Sequence, residues 1–250
     1  MKLLLQFPGN TDIESKEFKP YFDLIKKEVT LVKRPDTDII INPASKGFKD
    51  LKLLSSPGLR YVNNFRILQE MIEKGRENFD GIINACYLDP LLKVARQTID
   101  IPVIGVAESS MYMALEMGTK FAVITTNPGH IPDMTEYIYL TGLSSRCIAS
   151  NPVRALSISQ DELLSGLGGT YGPVIDNFKK TAEGCIEDGA EIVIAGSLLL
   201  SPILTLSGIN VLEAAAIIDP LLIGIKMTEM MVDLKKAGLP VISRKGLYIS

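Results

Sequence analysis

The chain has 250 residues, 46% hydrophobic and 22% charged, with a formal net charge of -3 at pH 7. That length suits one large α/β domain or two lobes with a core each, and two lobes is the reading preferred here. Charges of both signs are interspersed, which argues against a nucleic-acid partner; no apolar run is long enough to span a bilayer, and Pro8 and Gly9 break the first apolar run too early for a secretory signal.

In chain order the predicted strands are KLLLQF from Lys2, EVTLVK from Glu28, FDGIINA from Phe79, IPVIGVA from Ile101, KFAVITT from Lys120, SRCIAS from Ser145, EIVIAG from Glu191 and EAAAIID from Glu213. Several are apolar at every position, as strands covered on both faces must be, so the sheets are expected to be parallel. Amphipathic stretches at 61–77, 108–117, 131–141 and 173–188 read as helices between them, the last stopping at Gly189. The glycine-rich GLGGTYG at 166–172 follows no strand and lacks phosphate-loop spacing, so it reads as a mobile loop or lid. The expected fold class is α/β: two similar doubly wound lobes with parallel sheets and the active site in the cleft between them. The first lobe is expected to comprise residues 1–103 and 218–250, the second 104–217. Apolar helices at 108–117 and 221–234 suggest a homo-oligomer.

An internal match supports the two lobes. Aligning NACYLDP at 84–90 with AGSLLLSP at 195–202 so that Cys86 meets Ser197 also sets Asp80 against Glu191, Ile83 against Ile194 and Ala85 against Gly196. Ligands of open parallel sheets collect beyond the carboxyl ends of strands. Asn10 and Thr11 follow the first strand, Cys86 the FDGIINA strand, Thr125 and Thr126 end KFAVITT, and Ser197 follows EIVIAG, so all are candidates for one cleft.

Taken together, GNT at 9–11, NACYLDP at 84–90, IPVIGVAES at 101–109, KFAVITT at 120–126, GAEIVIAGS at 189–197, IIDPLLIGIKMTE at 217–229 and ISRKGLY at 242–248 resemble the aspartate/glutamate/hydantoin racemase superfamily, nearest its hydantoin and allantoin racemase branch. The resemblance implies a cofactor-independent enzyme of two α/β lobes acting on a small carboxylate or hydantoin-like substrate. In such enzymes two cysteines flank the substrate carbon, one removing a proton and the other returning one. Cys86 matches the first; the second position holds Ser197. Asn10 and Thr11 match residues that hold the substrate's carboxylate or ring oxygens, and Glu108 matches an acidic residue of the branch. The chain departs from the family at Leu88, Leu91, Leu198 and Leu199, where small residues are usual, and at Asp12, which implies a more apolar pocket.

A free thiol ionises near pH 8.5, and lower near donors, whereas a serine hydroxyl without an adjacent base is hard to deprotonate. Racemisation needs a competent base on each face. The pair Cys86 and Ser197 is therefore also compatible with chemistry that needs one thiol: protonating a carbanion left by loss of carbon dioxide, or adding to a double bond and rotating it, as arylmalonate decarboxylases and maleate isomerases of this fold do. A binding protein that kept the cleft and lost the chemistry, and a laboratory replacement of cysteine by serine at 197, are alternatives the residues leave open. Cys147 and Cys185 read as structural, His130 as a surface-loop residue, and Asp89 and Pro90 as shaping the turn after Cys86. Three widely spaced cysteines form neither a disulfide framework nor a metal-ligand cluster, which points to a reducing cytoplasm and no metal.

Overall fold

A computed structural model describes residues 1–49, 53 and 56–245; the last three residues of the ISRKGLY tail lie outside the described residues. Four parallel strands, β1 (Lys2–Gln6), β2 (Asp38–Asn42), β3 (Gly81–Asn84) and β4 (Val103–Gly105), form one sheet in the order β2-β1-β3-β4. The second sheet contains β5 (Phe121–Thr125), β6 (Val153–Ala155), β7 (Ile192–Ala195), β8 (Val211–Leu212) and β9 (Ala215–Ile218), in the order β6-β5-β7-β9-β8. Apart from the antiparallel edge strand β8, the second sheet repeats the order and direction of the first. The fold is α/β, with two parallel-sheet lobes built on one plan.

Each sheet is covered on both faces, which is why its central strands are apolar throughout. Leu3, Leu5 and Ile83 join a core that continues through Phe121, Val123, Phe178 and Ile194 of the second lobe. Leu4 and Ile82 point the other way, onto a separate cluster with Ile67, Met71, Leu92 and Val103. The helices α1 (Lys19–Val32), α2 (Pro57–Gly75), α3 (Leu92–Thr98), α4 (Val106–Met117) and α5 (Ile131–Leu140) are followed by α6 (Gln160–Leu167), α7 (Gly172–Glu187), α8 (Ser201–Leu206) and α9 (Pro220–Lys236). Two of them cross over: α4 leaves β4 and reaches β7 and β9, while α9 leaves β9 and packs on β3, β4 and α1. Glu229 pins α9 there, fully buried, accepting the Thr37 hydroxyl and the Arg34 N–H, both at 2.8 Å.

Two predicted strands are corrected. EVTLVK is the last part of α1, whose buried residues Tyr21, Phe22, Leu24, Ile25, Glu28 and Val29 recur with helical spacing; one-sided burial outweighs the β-branched composition of that segment. The strand that pairs with β1 is instead the following segment, DIIIN. SRCIAS also fails as a strand: Ser144–Arg146 is a 3-10 turn, Cys147 makes an isolated bridge to Phe121, and the ladder begins at Val153, after Asn151 turns the chain at φ 45°. IPVIGVA splits, its Val106 and Ala107 already forming the first turn of α4. GLGGTYG joins the end of α6 to the start of α7, with Gly169 at φ 115°.

A buried carboxyl also ties the lobes together. Glu28 of α1 is fully buried, accepts the Ser201 hydroxyl at 3.2 Å, and meets the carboxylate of Asp219, which caps α9 through Leu221 N–H at 2.9 Å. Burial, and then the charge of Asp219, push the Glu28 carboxyl well above the usual carboxylate range, with Ser201 opposing. A raised folded-state pKa means that this group's contribution is complete below the unfolded-state pKa and is lost as pH rises through the folded-state pKa. Within that window wild-type stability should fall with a slope of about 1.4 kcal/mol per pH unit from this group. Glu28→Gln should remove that slope, so its melting temperature should overtake the wild type as pH rises; parallel melting curves across pH would refute it.

Candidate active site

The turns after β3 and β7 are built alike. Ala85 N–H extends its ladder to Gln6 O at 2.8 Å, and Gly196 N–H does the same to Ile124 O at 2.8 Å. One turn on, Asp89 N–H bonds Cys86 O and Leu200 N–H bonds Ser197 O, both at 2.9 Å. Asp80 accepts Lys2 N–H at 2.7 Å where Glu191 accepts Thr119 N–H at 2.9 Å. The gapless match of residues 80–89 with 191–200 is thus a match of backbone pairing, and it makes Cys86 and Ser197 equivalent positions in the two lobes.

These two turns touch. A side chain on Gly196 would begin 2.4 Å from Val123 Cγ1 and 3.1 Å from the ring of Tyr87, so the residue after Cys86 packs on the residue before Ser197. Ser197 Oγ lies 3.0 Å from Thr126 Oγ1 and accepts Leu199 N–H at 3.3 Å. Thr125 is buried and its hydroxyl accepts Asn127 N–H at 3.3 Å, ending β5 as a local cap. Asn10, half-buried, donates its amide to Ser45 O at 2.7 Å, and Thr11 beside it is half-buried. Glu108 stands apart from the hydroxyl pair: Arg96 holds its carboxylate at 2.6 Å, and it lines a cavity of about 290 Å³ with Tyr112, Met227 and Val241.

Cys86 is half-buried, whereas Cys147 and Cys185 are buried. Burial pushes the Cys86 thiol up to about 11, against the N–H of Leu88 and the charge of Arg60, while Asp89 adds to the rise. The expectation of a thiol acidified by neighbouring donors is therefore corrected: desolvation wins, and Cys86 carries its proton at neutral pH. His130 is not a bare surface residue. It is half-buried at the start of α5, and burial and Arg60 lower its pKa, with Asp133 opposing, so the imidazole is neutral at pH 7. Its ring contacts Asn127 at 3.4 Å.

Arg60 of α2, Asp133 and Tyr137 of α5 were not singled out in the sequence. Arg60 pairs with Asp133 across the lobes, and Tyr137 reaches Asp89 at 3.1 Å. A polar residue on a helix carries no mark of a partner 73 or 48 positions away. Arg146 bonds the carbonyls of Gly118 and Thr119, and Arg154 pairs with Asp188, so both serve local structure. Among the described residues no group of His, Cys, Asp and Glu side chains is arranged to hold a metal ion, and no helix is long and apolar enough to cross a membrane.

Two like α/β lobes with equivalent turns face to face define a two-lobed racemase-type fold. A family profile, "Asp/Glu/Hydantoin racemase", matches residues 55–228, and the chain belongs to that family. It is 28% identical over 216 residues to a hydantoin racemase of Pseudomonas sp. (strain NS671), covering 81% of this chain and 77% of that protein. Its fold is like that of allantoin racemase from Pseudomonas fluorescens, with a TM-score of 0.77 at 20% identity over 100% of this chain and 97% of the other. Allantoin racemase from Klebsiella pneumoniae gives a TM-score of 0.75 at 21% identity, over 100% and 93% of the two chains.

Proposed function

We propose that the chain is a cofactor-independent racemase or isomerase acting at a carbon next to a carboxylate or ring carbonyl, on hydantoin-like rings or amino acids, with Cys86 as its acid-base or nucleophilic group. The observation that carries this reading is the packing of the Cys86 turn against the Ser197 turn at equivalent strand ends. A planar carbanion or enolate held between them would meet the thiol on one face and the Ser197–Thr126 hydroxyl pair on the other. Asn10, Thr11, Glu108, Thr125 and Thr126 are assigned to substrate binding.

A second reading is favoured by one observation: Ser197 Oγ is bonded to the Thr126 hydroxyl and the Leu199 N–H, neither of them a base. A site with one working thiol suits a decarboxylase of malonate-type acids or a cis-trans isomerase. Turnover of a panel of hydantoins, acidic amino acids, maleate and substituted malonates separates these readings. Saturable binding without turnover of any of them would instead support a non-catalytic binding protein. Iodoacetamide should modify Cys86 ahead of Cys147 and Cys185, because access distinguishes thiols that are all pushed up to about 11.

The working units in this reading are residues 1–103 with 218–250, and residues 104–217, in a cytoplasmic protein. We also propose a homo-oligomer joined through α4 and α9, on which Tyr112, Met117, Met230 and Leu234 stand 42%, 50%, 45% and 37% exposed. Light scattering should give a multiple of 27.3 kDa; the single-chain mass at working concentration would refute it.

A further inference from the structure

We propose that Asp89 and Tyr137 are positioning residues: their hydrogen bond clasps the Cys86 turn to the second lobe and holds the thiol opposite Ser197 and Thr126. This rests on the reading of Cys86 as the reactive group.

Asp89 is more than a turn former. It is 3% exposed and sits at φ 40°, a left-handed conformation that Asp tolerates better than most residues. Its backbone N–H closes the turn onto Cys86 O, so a displacement of Asp89 displaces the cysteine. Its carboxylate accepts Ala107 N–H at 3.2 Å and Glu108 N–H at 2.7 Å, the unpaired donors at the start of α4. The third donor comes from elsewhere: Tyr137 of α5 gives its hydroxyl to the same carboxylate at 3.1 Å.

The surroundings are shaped to this contact. A Cβ on Gly105 would lie 2.2 Å from an Asp89 carboxylate oxygen, so the end of β4 is bare where the carboxylate crosses it. Asp133 precedes Tyr137 by four residues, which puts both on one face of α5, and Asp133 pairs with Arg60, one of the charges acting on the Cys86 thiol. Two contacts from one helix face therefore reach the first lobe close to Cys86.

The groups facing the Asp89 carboxyl are Glu108, itself held by Arg96, Tyr137, and Cys86 and Tyr87 of its own turn. Burial pushes Asp89 up to about 7, against its three donors, so near neutrality its charge is variable, and each ionised Asp89 opposes a thiolate at Cys86.

Peptide-resolved alkylation of Cys86 as a function of pH tests the clasp without a known substrate. Tyr137→Phe removes the clasp and leaves the cap on α4, so the protein should melt near the wild-type temperature. Its Cys86 should be alkylated roughly tenfold faster, with Cys147 and Cys185 unchanged, and kcat should drop by a similar factor with KM nearly constant. Asp89→Asn should, in addition, move the alkylation profile of Cys86 to lower pH, because a neighbouring charge is gone. If Asp89→Asn does not fold, Tyr137→Phe decides alone. An unchanged Cys86 rate and pH profile in Tyr137→Phe overturns the clasp, even where Cys86→Ser is inactive. Full turnover in Cys86→Ser instead overturns the thiol reading, while the labelling comparison still decides the clasp.

Discussion

Cys86→Ser lowers turnover of the cognate substrate by about 10²- to 10⁴-fold, the range of a lost acid-base group, and leaves the melting temperature close to that of the wild type. Oxygen for sulfur is a small change of shape, and the bonds that build the turn, Asp89 N–H to Cys86 O and Ala85 N–H to Gln6 O, are made by backbone. The loss is chemical: a serine hydroxyl gives up its proton far less readily than a thiol. Because burial keeps the resting thiol protonated up to about 11, proton donation by Cys86 is available at neutral pH. The rate of the direction in which Cys86 removes a proton should rise with pH towards that value. Steady-state rates in both directions, with a melting curve for each variant, provide the check. A Cys86→Ser protein that keeps the wild-type rate ends the thiol account, whatever its stability.

The second large effect belongs to Ser197→Cys. In deuterated water the wild type should wash deuterium into one enantiomer of a chiral substrate, the one whose proton faces Cys86. The hydroxyl opposite is bonded to Thr126 and to the N–H of Leu199, neither of them a base that would let it exchange a proton with the substrate. A thiol at 197 supplies the missing base, so exchange becomes two-sided and racemisation rises, by about 10²-fold or more on the face that gains it. Ser197 is half-buried, so the larger sulfur has room to be accommodated with little disturbance of the turn. Proton NMR of both enantiomers gives the answer. Equal exchange of both by the unmodified protein would mean that Ser197 has an activating neighbour, with His130, neutral and half-buried, the first to examine.

The α/β class, the repeated plan and the strand-end residues were legible in the chain because each is written locally. Buried parallel strands must be apolar on both faces, and a repeated turn must repeat its small and polar residues, so the match of Cys86 with Ser197 could be read before any contact was known. Local signals misled where burial overrode propensity. EVTLVK has a strand's composition, yet it belongs to a helix because its apolar residues face one side of a longer amphipathic run. Most of what surrounds the thiol was decided by tertiary structure. Desolvation depends on which atoms exclude water from Cys86, and of the charges acting on it Asp89 lies in its own turn while Arg60 is brought there by α2. The pairing of Asp89 with Tyr137 and of Arg60 with Asp133 needs both lobes folded and docked, since neither partner differs in sequence from an ordinary surface residue until the chain closes around it.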